Sequence, residues 1–158
     1  MALDQQVAAA LSAFPSPHTG PMRIDESAGG QRLECELSAI DTLGVAFERL
    51  VLTSDRLRSA DLPALRSVAE ELSKRLTYLL EPIQPVETDS EQCIVQMRSV
   101  PPTKDNDRSS YYELLVRKGG QLSLVRYAAD YGSSRQVALA HVTREVFLRL
   151  VRDFSAVA

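Results

Sequence analysis

The sequence predicts an α+β fold: a single antiparallel sheet of about five or six strands, two longer helices covering it, and a short N-terminal helix on a Pro/Gly-rich tether. Three observations carry that expectation. Apolar and polar residues alternate over 31–38, 92–99 and 111–127, as they do in half-buried strands. Apolar residues recur at steps of three and four over 61–80 and 144–155. Short turns separate neighbouring strand segments, which suits antiparallel hairpins rather than the strand-helix alternation of a doubly wound parallel sheet.

Residues 3–14 read as a helix whose narrow apolar stripe is Val7, Leu11 and Phe14. A helix this short is marginal alone in water, so the stripe must find the main body or a partner subunit. Pro15, Pro17 and Pro21 stop it, and residues 15–30, rich in Pro, Gly and small polar residues, read as a linker. The expected organisation is therefore 1–14 as an amphipathic appendage, 15–30 as tether and 31–158 as one α+β domain.

Within that domain Leu33, Cys35 and Leu37 face one way in a first strand, and residues 45–53 form a second, antiparallel to it. Helix 61–80 carries Leu62, Leu65, Val68, Leu72, Leu76 and Leu79 as its buried stripe, with Ser59 or Asp61 as its cap. Pro82 and Pro85 demote the next extended piece to an edge. Strand 92–99 follows, with Cys93, Val95 and Met97 on one face. The polar segment TKDNDRSS reads as a loop.

Strands 111–118 and 121–127 flank Gly119-Gly120, which suits a two-residue hairpin turn. Counting outward pairs Leu114 with Val125, Leu115 with Leu124, and Glu113 with Arg126. That register makes Leu114, Val116 and Val125 core, and leaves Leu115, Leu124 and three arginines on a mixed second face. Residues 135–142 suit a strand, with a helix running on from Ser134 as the competing reading. Thr143 caps the final helix, whose inward residues are Val146, Phe147, Leu150, Val151 and Phe154.

Composition narrows the function classes. The 158 residues carry 18 basic and 21 acidic side chains, a formal charge of -3, which lacks the basic footprint of a general nucleic-acid binder. No stretch approaches the roughly 18 apolar residues of a membrane span. Cys35 and Cys93 read as free thiols, which with the absence of a secretory signal favours the cytoplasm, and two cysteines fall short of a structural zinc site.

No nucleophile elbow, phosphate loop or dinucleotide fingerprint is present, and neither His18 nor His141 has a partner set for catalysis. Asp105 and Asp107 open a calcium-like run, but Ser110 stands where the loop needs glycine and Val116 where it needs glutamate. No catalytic residue, metal or cofactor is therefore assigned.

The candidate binding residues are Arg98, Glu113, Arg117 and Arg126, because an arginine left unpaired on a sheet can take an anion or a partner's carboxylate. Tyr111, Tyr112, Tyr127 and Tyr131 cluster near the same hairpin, and tyrosine suits interfaces. Val7, Leu11, Phe14, Leu115 and Leu124 are the candidate interface residues. The sequence thus favours a non-enzymatic interaction module, adaptor or chaperone-like, acting as a homo-oligomer or on a protein partner. A small anionic-ligand binder or enzyme using the same Arg and Glu side chains is the alternative.

Overall fold

A computed structural model describes all 158 residues. In chain order the elements are α1 (Leu3–Ala13), β1 (His18–Ala28), β2 (Gln31–Ile40), β3 (Gly44–Ser54), a 3-10 turn (Asp55–Leu57), α2 (Leu62–Arg75), β4 (Ile83–Asp89), β5 (Ile94–Ser99), β6 (Thr103–Asp105), β7 (Arg108–Arg117), β8 (Gln121–Asp130), β9 (Gln136–Ala138), β10 (Ala140–Thr143) and α3 (Arg144–Val157). The strands form one antiparallel sheet with the path β1-β2-β3-β8-β7-β5-β4; β6 adds to β7, β9 to β8 and β10 to β3.

The α+β class stands, but the sheet has ten strands rather than five or six. Most of the difference lies in segments whose composition reads as loop. Residues 18–28, expected as linker, form a full strand, β1. Its Gly20 and Pro21 fall inside a register shift between Thr19 and Met22, and the strand stands at the sheet's edge, where proline removes no ladder bond. Thr103–Asp105, expected as loop, folds back on β7 through a turn at Asn106, whose φ is 53°. Residues 135–142 are extended, in two short pieces. β9 runs along β8 and β10 runs along β3, so the chain doubles back at Leu139 where β3 and β8 part.

The core follows from the register. Ile24, Cys35, Leu50, Leu124, Leu114 and Met97 stand opposite one another across six strands. The next row is Leu33, Leu52, Leu122, Val116 and Val95. All of these are buried in one cluster with residues of the three helices: Leu65, Val68 and Leu72 of α2, Phe147, Leu150 and Phe154 of α3, and Leu3, Val7 and Leu11 of α1. Phe47 and Phe147 meet edge to face at 5.6 Å. Thr143 caps α3 by accepting from Val146 N–H at 3.0 Å, and Asp61 caps α2 through Ala64 N–H at 3.0 Å. α2 ends at Arg75, short of the expected residue 80. Leu76 and Leu79 stay buried in the segment that follows it.

Helix α1 is no appendage. Its stripe sinks into the chain's own core, and Asp4 pairs with Arg152 of α3 at 2.9 Å. Val7 and Leu11, expected at an interface, are fully buried there, and Phe14 packs half-buried against the same cluster.

The β7–β8 register also differs from expectation by one residue. Arg117, not Lys118, stands opposite Gln121, so the loop is Lys118-Gly119-Gly120. Gly120 has φ +82°, and a Cβ there would meet the Ser54 carbonyl oxygen at 2.4 Å. The hairpin end is thus clamped against β3. A slip of one exchanges the two faces of a strand. Leu114 and Val116 remain core, but on β8 the buried residues are Leu122 and Leu124, while Val125 is half-buried on the far side.

Candidate functional site: the open face of the sheet

The helices cover one face of the sheet and leave the other open. Two rows of side chains describe the open face. One is Arg23, Glu36, Arg49, Val125, Glu113 and Arg98; the other is Asp25, Glu34, Val51, Ser123, Leu115 and Gln96. Over β1 and β2 the charges are closed on one another. Arg23 binds Glu34 at 2.5 Å and Glu36 at 2.8 Å, and Arg32 binds Asp25 at 2.6 Å. Arg32 holds the Asp25 carboxyl below the usual carboxylate range. Such exposed pairs contribute little to stability.

Over β5, β7 and β8 the arrangement is different. Glu113 is buried, its side chain 6% exposed, and its Oε2 accepts from Arg135 Nη1 at 2.7 Å and from Gln96 Nε2 at 2.8 Å. Hydrogen bonds to Glu113 and to the Tyr111 hydroxyl at 3.2 Å raise the Arg135 pKa further, so it stays charged. The rings of Tyr111 and Tyr127 lie 6.0 Å apart. Arg98 stands 5.0 Å from the Tyr111 ring centre and Arg135 3.8 Å from that of Tyr127. The two rings are tilted 36° to one another, and each takes a cation–π contact from one guanidinium.

Three arginines of the open face, Arg49, Arg98 and Arg117, make no ion pair or hydrogen bond, and two of them have a buried Nε. Neither Arg98 nor Arg117 forms an ion pair, and the Nε of each is buried without a hydrogen-bond partner. A guanidinium offers a planar fork of donors suited to a carboxylate, and a buried donor left unmade is costly. Beside Arg117 a hollow of about 320 Å³ is lined by Leu115, Ser123, Val125, Tyr127, Val137 and Arg49, with Glu36, Glu48 and Glu113 on its wall.

Arg126 and Leu124 do not belong here. The corrected register puts both on the helix side. Arg126 meets Glu81, not Glu113: Nη2 lies 3.0 Å from Oε2 and Nη1 3.3 Å from Oε1. Thr103 donates its hydroxyl to the same carboxylate, and Arg126 stands 4.6 Å from the Tyr112 ring. Burial pushes the Glu81 pKa up, but the bonds from Arg126, Ser99 and Thr103 outweigh it and hold it below the ordinary value. A cavity of about 460 Å³ opens above this pair between Tyr78, Leu139, Val142 and Val146, with Leu80 at its rim fully in solvent and at φ 67°.

Of the candidate residues, then, the fold brings Arg98, Glu113, Arg117 and Leu115 to one face. Arg135 and Arg49 join them without having been expected. Arg135 lies 22 residues from its partner Glu113 in a polar turn, and no local pattern marks it. Cys35 is buried and free, with its pKa raised by that burial; Cys93 is free and half-buried just before β5. His141 is exposed on β10. No three His, Cys, Asp or Glu side chains converge as metal ligands. No helix is long and apolar enough to cross a membrane. Comparison with protein-family models, with curated proteins and with solved structures finds no match for this chain.

Proposed function

We propose that the chain is a non-enzymatic protein-interaction module, adaptor or chaperone-like, which receives a partner segment on the open face over β5, β7 and β8. The observation that carries this reading is that Arg98 and Arg117, set among Leu115, Val125, Tyr111 and Tyr127, make no ion pair and leave a buried Nε without a hydrogen bond. A segment alternating carboxylate and apolar side chains matches that surface: the carboxylates take the free guanidinium forks, and the apolar residues cover Leu115 and Val125. The assembled form in this reading is a homodimer acting in the cytoplasm.

A small anion in the hollow beside Arg117 is the second reading. It is favoured by the concavity and opposed by Glu36, Glu48 and Glu113 on the same wall.

The test is titration of the chain with a labelled peptide of alternating Glu and Leu, against the same peptide with Gln for Glu. The acidic peptide binds, the amide peptide binds at least about tenfold more weakly, and added salt narrows the gap. Equal binding of the two peptides, or none by either, sinks the reading.

A further inference from the structure

The sheet has two edges, β1 and β4, and they are built differently. β4 defends itself against another strand. Pro85 has no N–H to offer, a register shift interrupts the strand between Pro85 and Glu87, and Glu87 and Asp89 would repel the same acids on a second copy. β1 has its proline and its irregularity confined to one end. From Met22 to Ala28 it pairs with β2 without a break, and no element of the sheet pairs with its outer side.

The charges along that stretch are self-complementary. Arg23 and Asp25 both point to the open face, one on either side of Ile24. In an antiparallel pairing of β1 with itself about a two-fold axis perpendicular to the sheet, opposite residues point to the same face. Only registers centred on a residue are then allowed. Centring on Ile24 puts Arg23 opposite the partner's Asp25, and Asp25 opposite the partner's Arg23. Centring on Arg23 or on Asp25 puts like charges face to face. Opposite charges directly across a strand pair favour the pairing and like charges oppose it, so the register centred on Ile24 is the one that gains two opposite-charge pairs. Met22 then faces Glu26 of the partner subunit, which brings no like charges together.

Both groups are accessible for this, with side chains 52% and 38% exposed. Each is already engaged within its own chain, Arg23 with Glu34 and Glu36, and Asp25 with Arg32. The contact therefore joins two existing ion-pair networks across the axis. From this edge pattern we infer that a second copy of the chain docks on β1 between Met22 and Glu26, making one sheet continuous through both copies. The inference rests on the homodimeric part of the function proposed above and not on its peptide-binding part.

The experiment is light scattering on the chain over a range of concentrations, with two charge variants. The mass of the unmodified chain rises with concentration from 17.4 kDa toward twice that value. R23D alone and D25R alone each associate about tenfold more weakly, because each puts like charges opposite one another. Mixed in equal amounts they associate again, since Asp at 23 on one chain meets Arg at 25 on the other. A readout on the unmodified chain guards against misfolded variants: amide exchange over 22–26 slows as concentration rises. A chain that stays at 17.4 kDa at millimolar concentration overturns the inference. So does a dimer that survives both single variants, or one in which the 22–26 amides exchange as fast as in the monomer. Peptide binding to the open face is measured separately and is unaffected by either result.

Discussion

The two faces of the β7–β8 hairpin use the same few residue types and close them differently. On the helix side Leu114, Val116, Leu122 and Leu124 are fully buried. The one charge among them, Arg126, has a carboxylate, a hydroxyl and an aromatic ring arranged around it. On the open side Leu115 and Val125 are half-buried, Glu113 is held by Arg135 and Gln96, and neither Arg117 nor Arg98 makes an ion pair or hydrogen bond, Arg98 meeting only the Tyr111 ring. A polar group that folding alone required would have its hydrogen bonds made within the chain, as Arg126 does. The contrast separates charges that complete the fold from charges that the fold leaves available.

Leu124→Ala removes a fully buried side chain and should cost about 3 kcal/mol in chemical denaturation, whereas Leu115→Ala should cost under about 1 kcal/mol. Equal costs would mean that the register is wrong.

Next in size is Glu81→Gln, which leaves Arg126 unpaired with a side chain only 16% exposed; a loss of about 2–3 kcal/mol is expected at neutral pH. Glu81 has its pKa lowered by folding, so its contribution is complete above the unfolded value, near about 4.3, and fades as pH falls through the lower folded value. The unmodified chain should therefore lose stability on acidification over a range where the variant loses less. Parallel pH profiles would contradict the pairing.

Glu113→Gln should cost about 1–2 kcal/mol, since it weakens bonds from Arg135 and Gln96 at a buried site. Glu36→Gln, in the solvated pairs over β1 and β2, should fall within about 0.5 kcal/mol. Small effects also belong to Arg98→Met and Arg117→Met. Arg117→Met should change stability by no more than about 0.5 kcal/mol and Arg98→Met, which gives up the Tyr111 ring, by no more than about 1 kcal/mol, because neither guanidinium makes an ion pair or hydrogen bond within the chain.

Much of this plan is visible in the residues alone. Leu33, Cys35 and Leu37 alternate because one face of β2 is covered and the other is not, and α3 carries both its cap and its stripe in sequence. Strand β1 is hidden by its own edge position. With no partner on one side it can hold Gly20 and Pro21, the residues that make it look like a tether. The open-face site is legible in part. Arg98 and Arg117 stay where alternation puts them. Arg126 and Leu124 change sides because a glycine pair reads as a two-residue turn, and only contact with the distant Ser54 carbonyl reveals a third loop residue. Arg135 reaches Glu113 by tertiary folding alone, which no local periodicity encodes.

In the function proposed above, Arg98 and Arg117 serve a partner and not the fold. The most direct measurement is the double variant Arg98→Met with Arg117→Met, assayed in parallel for denaturant midpoint and for binding of the alternating Glu/Leu peptide. Stability should change by no more than about 1 kcal/mol while binding falls at least about tenfold. A collapsed midpoint, or full-strength binding in the double variant, would contradict it.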